Sequence, residues 1–123
     1  MKQHSPAFLK IVEDAMKSVT EVTVAQTMKA LTSNPNAALI DVREESEYAK
    51  GHVTGAEHIG KGVIERDIEL LHPDPEEELF LYCGGGFRSA LAGEALARMG
   101  YKKVFSVAGG WRAFVDAGVE VPQ

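Results

Sequence analysis

Apolar residues change period several times along the chain, and each change marks an element. Phe8, Ile11, Val12, Ala15 and Met16 fall on one helical face behind Ser5-Pro6, an N-cap followed by proline in the first turn, so a helix opens the chain. After a short segment at Val22, Thr23 and Gln26 have capping-box spacing, and Val24, Met28 and Leu31 carry a second helix that residues 33–36 break. Residues 37–42 are an apolar run without alternation, read as a central strand that presents Asp41 and Arg43 at its C-terminal end. A short helical stretch over 44–50 closes at Gly51, residues 52–56 are loop, and His58-Ile59 is a brief strand. Val63, Ile64, Ile68 and Leu71 then mark an amphipathic helix before the breaker Pro73-Asp74-Pro75.

The second half repeats the alternation. Leu79–Tyr82 is short, apolar throughout and preceded by Pro75 and three glutamates, which suits a strand covered on both faces. From Ser89 the spacing turns helical, with Leu91, Ala92, Ala95, Leu96 and Met99 on one face and Gly100 where a C-terminal cap belongs. Residues 102–107 read as a further strand, and Gly109-Gly110 introduces a last helix with Trp111, Phe114 and Val115 that ends near Gly118. Strands alternating with helices predict an α/β fold with a parallel sheet covered on both faces. Ligands in such sheets sit beyond the carboxyl ends of the strands.

Composition narrows the function classes. With 123 residues, 45% hydrophobic and 25% charged, the chain has the make-up of one soluble globular domain. A net charge of -5 leaves no basic footprint for nucleic acid or an anionic membrane. Lys10, Glu13, Asp14 and Lys17 interrupt any secretory signal, and no apolar run reaches spanning length, so the expected location is the cytoplasm. A monomer is the simplest expectation for one acidic domain. A single cysteine excludes an internal disulfide and any mechanism that needs a resolving cysteine in the same chain.

That cysteine, Cys83, stands where the Leu79–Tyr82 strand stops and the next helix begins. Gly84, Gly85 and Gly86 follow it, then Phe87, Arg88 and Ser89. Successive glycines reach backbone conformations closed to other residues, so the amides of 84–89 are expected to turn inward as a bowl of donors. The helix start adds the positive end of its dipole and Arg88 a full charge, a setting that binds anions and favours a thiolate. A structural cysteine needs neither the glycines nor the arginine. Cys83 is therefore the candidate nucleophile and residues 84–89 the candidate substrate-binding loop, with neither a metal nor a cofactor expected. Asp41, Arg43 and Glu47 fit a structural ion pair, His52 and His58 hydrogen-bonded structural roles, and Trp111 a core or rim position.

Asp41-Val42-Arg43, Glu47-Tyr48, Gly51-His52-Val53, Gly55-Ala56 and His58-Ile59, followed by residues 83–89 and Gly109-Gly110-Trp111, resemble a single-domain rhodanese, a sulfurtransferase domain. The resemblance implies a three-layer α/β/α fold with a five-stranded parallel sheet over residues 21–123, residues 1–20 being an N-terminal helical extension of the one domain. It also implies a cysteine that carries sulfane sulfur as a persulfide. Glu57-His58 stands where the family usually has an apolar residue and an asparagine, and the loop lacks the basic side chains that thiosulfate-using members often place there.

Related-looking phosphatases and arsenate reductases have five residues between cysteine and arginine, room for a tetrahedral oxyanion. Four separate Cys83 from Arg88, and the smaller ring, by resemblance, encloses one sulfur atom. The expected activity is transfer of sulfane sulfur from thiosulfate or a persulfide, small or protein-borne, to cyanide or a thiol. The alternatives are a persulfide carrier, sensor or partner-binding module without turnover. A phosphatase or arsenate reductase is opposed by the loop length and, for the reductase, by the missing second cysteine.

Overall fold

The computed structural model describes residues 4–119. Its elements run α1 (Pro6–Ala15), β1 (Thr20–Val22), α2 (Val24–Ser33), β2 (Ala38–Asp41), α3 (Glu45–Lys50), β3 (Glu57–His58), α4 (Ile64–Leu71), β4 (Leu79–Tyr82), α5 (Phe87–Arg98), β5 (Val104–Val107) and α6 (Gly110–Asp116). The five strands form one sheet in the order β1-β5-β4-β2-β3, with every pair parallel. The strand that precedes Cys83 is the central one, and all four of its residues are buried.

An unbroken apolar sequence there is what two covered faces demand. Leu79, Leu81 and Cys83 pack on one face with Ile40, Val42, Ile64, Ile68, Ala92 and Leu96, which brings α4 and α5 onto that side. Phe80 and Tyr82 face the other layer, against Leu39, Val107 and Phe114, with Met28 and Leu31 of α2 beside them. Each fully buried large apolar side chain contributes about 1.5–3 kcal/mol relative to exposure, so β4 alone anchors both layers.

Capping is largely as the sequence requires. Ser5 Oγ accepts the Phe8 amide at 3.1 Å, and Thr23 and Gln26 exchange hydrogen bonds of 2.8 and 3.0 Å. Some details differ. Helix α5 begins at Phe87 rather than Ser89, because Gly86 adopts a left-handed φ of 108° at the N-cap and turns the chain straight into the helix. Strand β3 lies one residue earlier than His58-Ile59. Leu71, placed on the buried face by its spacing, is 51% exposed, since α4 ends there and the chain turns away at His72. Helix α1 packs Val12 and Ala15 against Ala90 of α5, with Phe8, Met16, Phe87 and Leu91 around them, so it supports the helix that follows the cysteine loop. No helix among the described residues is long and apolar enough to cross a membrane.

Two polar ties hold the layers. Asp41, fully buried, receives Arg43 Nη2 at 2.8 Å, and the same nitrogen donates to the Gly51 carbonyl at 2.7 Å. His72 bridges two carboxylates, with Nε2 2.6 Å from Glu57 and Nδ1 2.9 Å from Glu77. Burial pulls the His72 imidazole down, but the hydrogen bonds to Glu57 and Glu77 outweigh it and hold the group above its ordinary value of 6.5.

Two outcomes are expected. Asp41→Ala strands a buried guanidinium and should lower the unfolding free energy by about 3–5 kcal/mol in urea denaturation. His72 gains its partners on folding, so its contribution is complete below pH 6.5 and is lost as pH rises through the raised folded value. The urea midpoint should therefore fall between about pH 6 and about pH 9 in the parent, and that slope should flatten in His72→Gln.

Candidate active site around Cys83

Parallel register sets Asp41 opposite Tyr82 and Ser106 opposite Leu81, so the segments leaving β2, β4 and β5 meet at one edge of the sheet. Cys83 is the first residue past β4, and its backbone is tied to α6. Its carbonyl accepts the Trp111 amide at 2.6 Å and the Gly84 carbonyl accepts the Arg112 amide at 3.4 Å. This approach depends on Gly110, because a Cβ at that position would overlap the Cys83 carbonyl oxygen. With its first two oxygens committed to α6, the loop is free to present N–H groups elsewhere.

They reach the sulfur. The Gly86 amide donates to Cys83 Sγ at 3.1 Å and the Ser89 amide, in the first turn of α5, at 3.4 Å. The Ser89 hydroxyl lies 3.6 Å from Sγ and 2.7 Å from the hydroxyl of Ser106. The bowl is narrower than the one expected from residues 84–89. Gly86 is the one loop glycine with positive φ, so the chain turns inward once, and only the amides of Gly86 and Ser89 bond the sulfur. Gly85 is exposed at the rim, flanked by half-buried Gly84, Phe87 and Arg88.

Arg88 is already engaged. Its Nη1 and Nη2 meet the two carboxylate oxygens of Glu47 at 2.8 and 3.1 Å. Glu47 is in an ion pair, as its residue type and place suggest, but its partner is Arg88 of the cysteine loop rather than Arg43, and it also accepts the Glu44 amide at the start of α3. The hydrogen bonds from Arg88 hold its carboxyl down to about 2 despite the opposing effect of burial. The guanidinium therefore faces the loop with its charge largely balanced.

The remaining candidates are framework. Arg43 lies over the Trp111 ring at 4.6 Å, making that indole a support for a buried guanidinium. His58 Nε2 is 2.7 Å from the Arg43 carbonyl, and His52 Nδ1 is 3.0 Å from the Tyr48 carbonyl, with both imidazoles stacked on Tyr48. Glu57, the other member of the unusual dipeptide, belongs to the His72 bridge. Burial pushes the phenol of Tyr82 up, and its oxygen accepts the Val53 amide at 3.1 Å.

One neighbour of the site and one contact of the loop escaped sequence reading. Ser106 interrupts the apolar strand β5, a faint signal, and Phe87 packs edge-on to His4 and Phe8 at 4.8 and 6.0 Å, a contact with no local signature. Chemically, the sulfur sits among hydrogen-bond donors, so negative charge on it, or on an atom attached to it, is stabilised.

The Rhodanese-like domain family matches residues 24–117. Among curated relatives, the chain is 32% identical over 95 residues to YrkF of Bacillus subtilis, provisionally named a sulfur carrier, in a match that covers 77% of this chain but only 50% of that protein. A protein of unknown function from Rhodopseudomonas palustris, described as a possible tyrosine phosphatase, superposes with a TM-score of 0.83 at 27% identity over 99% of both chains. The polysulfide-sulfur transferase homodimer of Wolinella succinogenes gives a TM-score of 0.79 at 26% identity, over 94% of this chain and 87% of that one. With the motifs, the parallel five-stranded sheet and 94 matched residues (24 through 117) in agreement, the chain belongs to the rhodanese-like domain family.

Proposed function

We propose that the protein is a sulfurtransferase in which Cys83 carries sulfane sulfur as a persulfide, with residues 84–89 as the loop that binds it. The observation that carries this reading is the convergence of the Gly86 and Ser89 amides on Sγ. In the first step the Cys83 thiolate attacks the outer sulfur of a donor R–S–S⁻, forming Cys–S–S⁻ and releasing R–S⁻. In the second, a thiolate or cyanide attacks that outer sulfur, takes it, and returns Cys83 as thiolate. Charge stays on sulfur throughout, where amide donors stabilise it without a proton transfer.

The donor class follows from the rim. Arg88 meets the loop already balanced by Glu47, and Gly84 and Gly85 offer no side chains, so the double charge of thiosulfate has little to hold it. A persulfide or polysulfide fits better. The likeness to YrkF and to the Wolinella enzyme supports this choice and keeps sulfur carriage between protein partners within the same chemistry. The Rhodopseudomonas likeness favours a second reading, phosphoester hydrolysis at the same cysteine. Four residues between Cys83 and Arg88, and a guanidinium occupied by Glu47, count against it.

Incubation with a persulfide donor should add one sulfur to the protein mass, removed by cyanide and absent in Cys83→Ser; an unchanged parent mass would sink the reading. In steady-state cyanide assays, kcat/KM with a persulfide or polysulfide should exceed that with thiosulfate by about tenfold or more, the scale of one or two lost ionic contacts. Aryl phosphate turnover dependent on Cys83 and comparable with sulfur transfer would favour the phosphatase instead.

A further inference from the structure

Ser106 is a fully buried hydroxyl on a sheet face otherwise made of Leu79, Leu81 and Val104. An alanine there would pack without desolvating a polar group, so the hydroxyl needs an explanation. Its partner is Ser89 Oγ, at 2.7 Å, and that oxygen is the one 3.6 Å from Cys83 Sγ. Three polar groups thus form a buried line from β5 to the sulfur, each at most 1% exposed.

The direction of that line has consequences. A serine in the first turn of a helix ordinarily turns its hydroxyl to nearby backbone or solvent. Ser89 does neither. A hydroxyl has one hydrogen, so Ser89 can donate to an anionic sulfur only when Ser106 is the donor in the bond the two hydroxyls share. Ser106 is in position to be that donor. With a neutral thiol, both hydroxyls rotate: S–H donates to Ser89, and Ser89 donates to Ser106. No heavy atom has to move, and the pair follows the charge on sulfur as it changes.

We propose that Ser106 is a positioning residue for sulfur transfer, orienting the Ser89 hydroxyl toward the anionic sulfur of Cys83. This rests on Cys83 as the sulfur-carrying group. The charged groups around the sulfur are Arg88 from α5 and, beyond it, Glu47 from α3 and Glu44 at the α3 N-cap, and none of them hydrogen-bonds Ser106. In Ser106→Ala nothing holds Ser89 Oγ beside the sulfur, its hydroxyl is free to turn to nearby backbone as helix serines ordinarily do, and the thiolate loses that donor.

The pH midpoint for thiolate absorbance of Cys83 should rise by about 0.5–1 unit in Ser106→Ala, the net worth of one hydrogen bond. Ser106→Thr, which keeps the hydroxyl, should restore the midpoint, whereas Ser106→Val should not. Cyanide-assay kcat should fall with the midpoint while the urea midpoint of the alanine variant stays near that of the parent. An unchanged thiolate midpoint in a folded Ser106→Ala protein would overturn the assignment. So would a threonine variant that matches alanine. Should alanine fail to fold, the threonine and valine pair still decides the matter. The parent serves as control: if it takes up no sulfur, the reading of Cys83 fails, whereas a loaded parent with an unmoved Ser106→Ala midpoint defeats only the role of Ser106.

Discussion

A peptide group can aim its N–H at a sulfur atom only if its neighbours' carbonyls have somewhere else to go. Here they go to α6. The Trp111 and Arg112 amides take the Cys83 and Gly84 oxygens, and Gly110 allows the two backbones to come that close. An orphaned carbonyl in a buried loop would cost roughly 1–3 kcal/mol, so without this contact the loop would relax toward satisfying its oxygens rather than presenting its nitrogens. The sulfur site therefore depends on a helix that supplies none of the side chains facing the sulfur.

The same division of labour extends outward. Central strand β4, paired on both sides with β2 and β5, delivers Cys83 to the carboxyl end of the sheet. Helix α3 supplies Glu47, which fixes Arg88; β5 supplies Ser106 beneath Ser89; and α1 places Phe8, with His4 just before its cap, against Phe87. The loop is thus held from four sides by rigid elements. Such support is what a group needs if it must stabilise charge without reorganising during reaction.

Balancing Arg88 internally bears on the proposed donor class. An arginine paired to carboxylate through both nitrogens keeps its geometry but offers little net field, so under the proposed sulfur transfer selection would rest on the size and softness of the donor sulfur rather than on charge. If the site receives a single sulfur atom, as proposed, it suits a carrier as readily as a turnover enzyme. The chemistry of the cysteine is common to both.

Much of this was legible along the chain. The unbroken run before Cys83, the glycines after it and the helical spacing beyond Ser89 are consecutive, so local rules of period and backbone freedom suffice to read strand, loop and helix. The Thr23–Gln26 box and the Ser5 cap were legible for the same reason. What the sequence could not disclose is the partner of each polar group. Glu47 and Arg88 are 41 residues apart and Ser89 and Ser106 are 17 apart, and neither pair leaves a periodic trace. Likewise, how many loop amides face the sulfur was decided by the single left-handed turn at Gly86, not by the number of glycines available. Sequence determined which residues could do sulfur chemistry; packing of distant elements determined which of them touch the sulfur, because hydrogen bonds require angstrom-scale proximity that only the folded chain creates.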